Sequence, residues 1–227
     1  MPEKPSKPEK IAFYFDPLCP WCYLTSKWVH RLVELDVVDV EWRLFSLEIH
    51  NTGKTSLEDA ADFRAATALR TAIALRDTVG PESVGLFYAA LDARTWDDTQ
   101  DIRDIEVIRA SVAAAGADPS VVDAALADPT TWDRVVAEHD AVVAEVGAFG
   151  VPTIRLDGGK GPAIFGPVIH TVPSDEDAVA MFHHVSWLVR QPTFWEIKRE
   201  RTESPDLEHA RVRAARQAAK QAAAASS

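Results

Sequence analysis

Two cysteines separated by two residues, in the sequence CPWC, constrain this chain more than any other feature. Cys19 and Cys22 are the only cysteines among its 227 residues. The run 11–15 before them is apolar and aromatic and ends at an Asp-Pro pair, as a buried strand that ends in a loop does. After them, apolar residues recur at helical spacing and predict an amphipathic helix: Leu24, Trp28, Leu32 and Leu35. The sequence therefore places the pair at the junction of a strand and a helix.

That position gives the two thiols different chemistry. The unpaired amides and the dipole of a helix N-terminus stabilise negative charge, so we expect Cys19 to ionise below the free-cysteine pKa of about 8.5. A thiol three residues further on lies on the same edge of the helical turn, and Cys22 is therefore predicted to attack a mixed disulfide formed on Cys19. Pro20 stiffens the first turn, and Trp21 places a flat apolar surface beside the nucleophile.

Two other uses of the cysteine pair stay open at this point. A zinc site needs about four ligands, and the nearest candidates, His183 and His184, are adjacent and so point to different sides of a helix. The alternative is a pair of unreactive core thiols, since free cysteine is often buried. Both alternatives are weaker than the redox interpretation, and we predict no metal.

The rest of the chain predicts a small mixed sheet with a helical insertion. Alternation within 37–47 gives a second strand, parallel to the first through a right-handed crossover, and His50-Asn51-Thr52-Gly53 follows as a loop. Alanine-rich stretches in 56–147 have helical spacing, with Gly80-Pro81, Gly116, Asp118-Pro119, Asp128-Pro129 and Gly147 as helix boundaries. The order βαβ, helical block, ββα follows, because two strands and a helix come after the insertion.

The last part of that order begins with strand character in 151–156. An Asp-Gly-Gly turn at 157–159 predicts an antiparallel hairpin with a strand near 163–165. Ser174 with Asp177 resembles a capping box at the start of a helix. We therefore expect a sheet domain from 1–55 and 148–200, an insertion domain from 56–147 with a core of its own, and a tail from 201–227 that is helical and partly disordered.

Charge and hydropathy narrow the classes of function. Twenty-four basic residues against 35 acidic ones give a formal charge of −11, which disfavours nucleic acid as a partner. The sequence has no run of about 18 apolar residues and no signal peptide at its start, so we expect a cytoplasmic protein that does not bind membranes. From Lys198 onward, seven basic and four acidic residues predict a solvated surface helix, or a helix that docks on an acidic partner or a second subunit.

Gly150-Val151-Pro152-Thr153 is the second feature with chemical meaning. A proline at the start of a strand is ordinary by itself. In a fold that brings this segment beside the cysteines, a cis Val151-Pro152 bond would present a free backbone edge to a substrate or a thiol. The Val151 backbone is then the predicted contact for the incoming group.

Taken together, CPWC after a first strand, a helical insertion and Val-Pro-Thr before the next strand resemble the DsbA-like branch of the thioredoxin superfamily. Within that branch, residues 15–22, FDPLCPWC, are most similar to the mycothiol-dependent nitroreductases of actinobacteria. The resemblance implies a thioredoxin-like α/β fold with an all-helical insertion. It also implies an oxidoreductase with no tightly bound cofactor, which takes mycothiol or a similar small thiol as co-substrate and reduces nitroaromatic or disulfide acceptors. Dimerisation is compatible with that family, although no stripe in this sequence indicates a homodimer.

The resemblance also implies roles for individual residues. Cys19 is the nucleophile, Cys22 the resolving cysteine and Pro152 the cis-proline beside the thiol-binding edge, while Trp21 and Asn51 line the mouth of the pocket. For Asn51 an ordinary turn is favoured over ligand contact, because Asn-Thr-Gly is a turn signal, and for His50 a plain loop residue is favoured over a proton donor. Asp16-Pro17 either orients the cysteine loop or ends the strand. Local cations such as Lys54 or Arg155 would offset the acidic surface near an anionic thiol.

Two further functions stay open. The 2-hydroxychromene-2-carboxylate isomerases and kappa-class glutathione transferases share this architecture, but they usually have serine where Cys19 stands, and their activity would survive the loss of Cys22. A redox-sensing chaperone or binding module would use the insertion to hold a protein partner, and its cysteines would switch once rather than cycle.

Overall fold

A computed structural model describes residues 7–212 and residue 215 of the chain. Four strands form one mixed sheet in the order β2-β1-β3-β4. The first two strands are parallel, and β3 runs antiparallel to both β1 and β4. This arrangement confirms the predicted sheet, whose strands are β1 (Glu9–Phe15), β2 (Val38–Leu44), β3 (Thr153–Arg155) and β4 (Ala163–Phe165).

Helices make up most of the rest of the described chain, and most begin and end where the sequence indicated. Gly147 is left-handed at the end of α8, with φ 65°, and the hydroxyl of Ser174 accepts a hydrogen bond from the Asp177 amide at the start of α10. The helices are α1 (Pro20–Glu34), α2 (Leu47–Thr52), α3 (Leu57–Ala60), α4 (Ala66–Thr78), α5 (Glu82–Asp92), a π-helical turn (Ala93–Asp97), α6 (Ile105–Ala114), α7 (Val121–Ala127), α8 (Thr130–Val146), α9 (Leu156–Gly159) and α10 (Asp175–Val189). The short α9 is the hairpin turn between β3 and β4, and Asp157 and Gly158 have left-handed φ and ψ in it.

The segment after β2 differs from the expectation. The strand ends at Leu44, and the predicted loop at 50–53 is the last turn of helix α2 with its C-cap, Gly53. The hydroxyl of Ser46 accepts a hydrogen bond from the Ile49 amide at 3.2 Å, so Ser46 caps the helix instead of continuing the strand. An N-cap serine followed by so short a helix leaves almost no periodic signal in a sequence.

The expectation of two separate cores is wrong. One hydrophobic cluster contains buried residues of the sheet, of α1 and of the insertion. Tyr88 of α5 stacks on Phe15 of β1 with ring centroids 3.9 Å apart and also contacts Trp42 of β2 at 5.9 Å. The helical spacing indicated which residues of the insertion are buried, but it could not indicate that aromatic rings from both parts would meet. The domain boundaries themselves stay a prediction.

The described part of the predicted tail packs on the body of the protein. Residues 208–212 are helical, and Leu207 is 2% exposed in a small cluster with Tyr23 and Leu24 of α1. The remainder of the predicted tail, residues 213, 214 and 216–227, lies outside the described residues.

In the described part of the chain, no helix combines the length and the apolar character needed to cross a membrane.

Candidate active site at the cysteine pair

The two cysteines lie where strand β1 passes into helix α1. Cys19 is the N-cap of α1, and its sulfur accepts a hydrogen bond from the backbone amide of Cys22 at 3.3 Å. Pro20 occupies the start of the helix, where its missing N–H costs no hydrogen bond. Cys19 is 7% exposed and Cys22 is fully buried, so a reagent reaches the first thiol before the second.

The environment separates the pKa values of the two thiols. A hydrogen bond from the Cys22 thiol is the largest influence that lowers the pKa of Cys19, and the backbone amides of Cys22 and Trp21 lower it further. Burial and the negative charge of Asp16 oppose this, and the result is a pKa below the ordinary value. Burial, followed by the hydrogen bond to Cys19, raises the pKa of Cys22 well above it. The Cys19 thiol therefore ionises more readily than the Cys22 thiol.

The segment Gly150–Thr153 lies against the cysteines, as predicted. The Val151 carbonyl oxygen is 3.5 Å from the sulfur of Cys19, and the Val151-Pro152 peptide bond is cis. Thr153 begins strand β3 and donates its hydroxyl hydrogen to the Gly150 carbonyl at 2.8 Å. The structure therefore brings together the predicted residues Cys19, Pro20, Trp21, Cys22, Val151, Pro152 and Thr153.

Asp16 has a larger role in the cysteine loop than a strand end requires. It is fully buried, and its two carboxylate oxygens accept hydrogen bonds from the amides of Leu18 (2.7 Å) and Leu47 (2.6 Å). The carboxylate thus joins the loop that precedes Cys19 to the first turn of α2. Burial raises the pKa of Asp16 to about 7, although both hydrogen bonds lower it.

A second buried acid lies behind the pair and was missed in the sequence. Asp92 at the end of α5 is fully buried, and neither of its carboxylate oxygens has a hydrogen-bond partner among the described residues. The Tyr88 hydroxyl, one helical turn earlier, is also buried without a partner there, although the two groups are close enough to influence each other's pKa. Burial raises the pKa of Asp92 well above its ordinary value. The available signal was an aspartate within an otherwise apolar helical face.

The remaining predicted site residues lie elsewhere or have other partners. Asn51 is exposed in the last turn of α2, and the ring of His50 packs against Phe45 and His139. Lys54 pairs with Asp59 at 3.3 Å, and Arg155 pairs with Glu145. Each of these two cations is therefore engaged by a carboxylate, and their contribution at the thiol site stays a prediction.

The cation that the structure places at the cysteine loop is Arg201, a residue that sequence reasoning missed. Its guanidinium carbon lies 5.3 Å from the centroid of the Trp21 ring. No pattern in the sequence indicates this contact, since 180 positions of chain separate the two residues.

Metal ligation has no support in the part of the chain that the structure describes. There, no group of three or more His, Cys, Asp or Glu side chains is arranged to hold a metal ion. His183 and His184 lie on α10, outside the cysteine loop.

Comparisons with known proteins agree with this geometry. Residues 18–199 match the Rv2466c-like family, described as mycothiol-dependent nitroreductase Rv2466c. The chain is 33% identical over 194 residues to the uncharacterized protein Rv2286c of Mycobacterium tuberculosis, which covers 85% of this chain and 82% of that protein.

Solved structures share the fold at low identity. The cytosolic disulfide reductase DsbM from Pseudomonas aeruginosa has a TM-score of 0.57 at 18% identity, over 79% of this chain and 99% of that one. A 2-hydroxychromene-2-carboxylate isomerase has a TM-score of 0.54 at 17% identity, over 80% and 97%. These similarities establish the DsbA-like thioredoxin fold with its helical insertion. The family match goes further, and the chain belongs to the Rv2466c-like family of mycothiol-dependent nitroreductases.

Proposed function

We propose that the protein is a thiol-disulfide oxidoreductase that takes electrons from mycothiol and passes them to small nitroaromatic or disulfide acceptors. The main support is the arrangement of Cys19, an N-cap thiol with a lowered pKa whose sulfur also accepts the amide hydrogen of the resolving residue Cys22. The family description names mycothiol and nitro reduction. In this proposal the dithiol is the electron carrier.

The oxidative half of the cycle delivers two electrons to the acceptor. With a nitro group, the dithiol of Cys19 and Cys22 gives up two electrons and two protons; the products are a nitroso group, one water molecule and the Cys19-Cys22 disulfide. With a disulfide acceptor, the Cys19 thiolate displaces one sulfur and forms a mixed disulfide. Cys22 then loses its proton, attacks the Cys19 sulfur and releases the second acceptor thiol.

The reductive half restores the dithiol with two molecules of mycothiol. The first thiolate attacks the Cys19 sulfur, the more accessible of the two, and the Cys22 sulfur leaves and takes up a proton. The second attacks the mycothiol sulfur of this mixed disulfide, which releases the Cys19 thiolate and mycothiol disulfide. The proposed contact for the incoming thiol is the backbone of Val151, whose carbonyl oxygen is 3.5 Å from the Cys19 sulfur. The other proposed contacts of the thiol are Trp21, Pro152 and Thr153, together with Asn51 on α2.

The test compares two serine variants in a mycothiol-dependent nitroaromatic reduction assay. Cys19→Ser removes the nucleophile and is expected to abolish turnover. Cys22→Ser keeps the nucleophile, and mass spectrometry is expected to detect a mycothiol adduct on Cys19. Full activity of the Cys19 variant would contradict the mechanism. Full activity of the Cys22 variant would instead favour the isomerase or transferase alternative, which needs no resolving thiol.

A cytoplasmic location is part of the proposal, because the dithiol must stay reduced between turnovers and the cytosol keeps thiols reduced. The similar fold of DsbM, which is described as a cytosolic disulfide reductase, is consistent with this location. A homodimer stays a prediction.

A further inference from the structure

Residues 199–212, which we call the C-terminal strap, return to the cysteine loop and pack on it from outside. Leu207 and Ala210 contact the small cluster formed with Tyr23 and Leu24, one turn after the active-site cysteines. The ring of His209 meets the ring of Trp96 edge to face at 5.1 Å. The buried side chain of Leu207 thus fixes the end of the strap beside α1.

The middle of the strap is held by polar contacts with the segment that follows β4. The Asp206 amide donates to the His170 carbonyl at 3.3 Å, and His170 Nδ1 lies 2.9 Å from the Ser204 carbonyl oxygen. His170 Nε2 is also 2.9 Å from a carboxylate oxygen of Glu203. With Leu207, these contacts give the strap two anchor points.

The strap is also connected to the cysteine loop through its neighbours. The indole N–H of Trp96, against which His209 packs, donates to the Pro17 carbonyl at 3.2 Å, two residues before Cys19. Ahead of the anchors, the guanidinium of Arg201 lies 5.3 Å from the ring centroid of Trp21. One face of the aromatic residue inside the CPWC sequence is therefore covered by a cation from the far end of the chain.

We propose that Arg201 binds the acceptor and that the strap selects small, oxygen-rich acceptors over protein disulfides. A guanidinium is planar, carries five N–H donors, stacks on aromatic rings and pairs with the two oxygens of a carboxylate at once. A nitro group presents two oxygens in the same planar arrangement. Arg201 contacts Trp21, which lies two residues after Cys19 in the first turn of α1, and we infer from this contact that its N–H donors reach an acceptor bound at the Cys19 sulfur. The proposal rests on the proposed function, since it assigns the acceptor class of the same dithiol.

The same contact disfavours polypeptide acceptors. An extended peptide that pairs with the free backbone edge at Val151 also needs apolar surface for its side chains, and Trp21 is the aromatic surface next to Cys19. Arg201 and the anchored strap occupy one face of that ring. A small acceptor needs only the space above the sulfur and gains the arginine as a partner, whereas a polypeptide has to displace it.

The first experiment replaces Arg201 by methionine, which keeps the length of the side chain but removes its N–H donors. Arg199→Met is the matched control, because Arg199 lies two residues earlier on the strap, is exposed and makes no cation–π contact with a ring of the described residues. We expect Arg201→Met to lower kcat/KM for a nitrobenzoate by about tenfold, the effect of losing one charge-assisted hydrogen bond. The rate of Cys19 alkylation by iodoacetamide reports on the thiol itself, and the loss of kcat/KM should exceed any change in that rate. Equal kcat/KM values for the two variants would overturn the role of Arg201.

The second experiment releases the strap with Leu207→Asp and follows the reduction of insulin disulfides, with dithiothreitol as the electron donor. We expect a rise of about tenfold over the wild-type rate, with faster hydrogen exchange in 199–212. Faster hydrogen exchange in 199–212 without a rise in insulin reduction would overturn the proposal that the strap disfavours protein disulfides. If the variant does not fold, Arg201→Ala in the same assay decides, because it shortens the side chain that covers Trp21 without touching the buried anchor. Dithiothreitol keeps this result independent of mycothiol, so failure of the proposed function is detected separately.

Discussion

At the scale of single residues, the lowered pKa of Cys19 has a different main cause from the one its position in the sequence suggests. The helix N-terminus contributes through the amides of Cys22 and Trp21, but the hydrogen bond from the Cys22 thiol is the largest influence. The resolving cysteine therefore also activates the nucleophile. It can do so because burial keeps the proton on its own sulfur.

A pair of substitutions at Cys22 separates these contributions. Cys22→Ala removes the side-chain donor and is expected to raise the pKa of Cys19, while Cys22→Ser keeps an O–H donor and is expected to leave it low. The pH dependence of Cys19 alkylation by iodoacetamide measures both values. The same pKa in the alanine and serine variants would mean that the backbone amides dominate.

Asp16 predicts a pH dependence of stability. Its pKa is about 7 in the folded protein against an ordinary 3.8, so its contribution to stability is complete below about pH 4 and is lost as the pH rises through 7. The loss amounts to about 4 kcal/mol if the group acts alone. Denaturant unfolding measures the free energy of unfolding of wild type and of Asp16→Asn across this range. As the pH rises, the wild type should lose stability relative to the variant.

The difference between the two proteins matters here because neighbouring groups also titrate or carry charge. Five groups interact electrostatically with Asp16: Cys19, Cys22, Glu48, Arg64 and Asp92. Their own contributions cancel to first order when the free energy of unfolding of one protein is subtracted from that of the other. At acidic pH the variant should be less stable, since an asparagine can accept only one of the two amide hydrogen bonds. A difference that does not vary between pH 4 and 7 would contradict the raised pKa.

At the scale of elements, α5 is one of the helices that connect the insertion to the sheet, and it approaches strand β2 closely at Gly85. A Cβ atom there would lie 2.3 Å from Nε1 of Trp42 on β2. The helix and the strand can therefore come together only because this position lacks a side chain.

Gly85→Ala should lower the free energy of unfolding by about 1–3 kcal/mol, although alanine is the better helix former by about 1 kcal/mol. Urea denaturation provides the measurement. The double variant with Trp42→Phe offers more space and should be more stable than the sum of the two single effects. A stabilised single variant would mean that α5 and β2 separate easily.

Helix and strand positions were largely predictable from the sequence, whereas contacts between elements were not. Gly147 and Ser174 mark helix ends through capping interactions with residues close to them in the chain, and such interactions can be predicted from the sequence. The stacking of Tyr88 on Phe15 and the cover of Arg201 over Trp21 depend on the packing of distant segments. In the active site, the motif residues were therefore found from the sequence, and the acid Asp92 and the cation Arg201 were not.

At the scale of the whole molecule, the cysteine loop depends on both parts of the chain. The insertion supplies the Trp96 indole that binds the Pro17 carbonyl, and the sheet domain supplies the Val151 carbonyl on the other side. Asp16 adds a connection to α2 through the Leu47 amide. Loosening either part would move the groups that set the position of the Cys19 sulfur.

This shared core predicts that the sheet and the insertion unfold together. Because the rings of Phe15, Trp42 and Tyr88 belong to one cluster, opening the insertion alone would expose apolar surface of the sheet as well. Calorimetry of the reduced protein should give a single transition, with equal calorimetric and van't Hoff enthalpies. Tyr88→Ala leaves the helix intact but removes the ring that joins the two parts, and it should lower the melting temperature or split the transition. Two transitions in the wild-type protein would contradict the single core and favour separate domains.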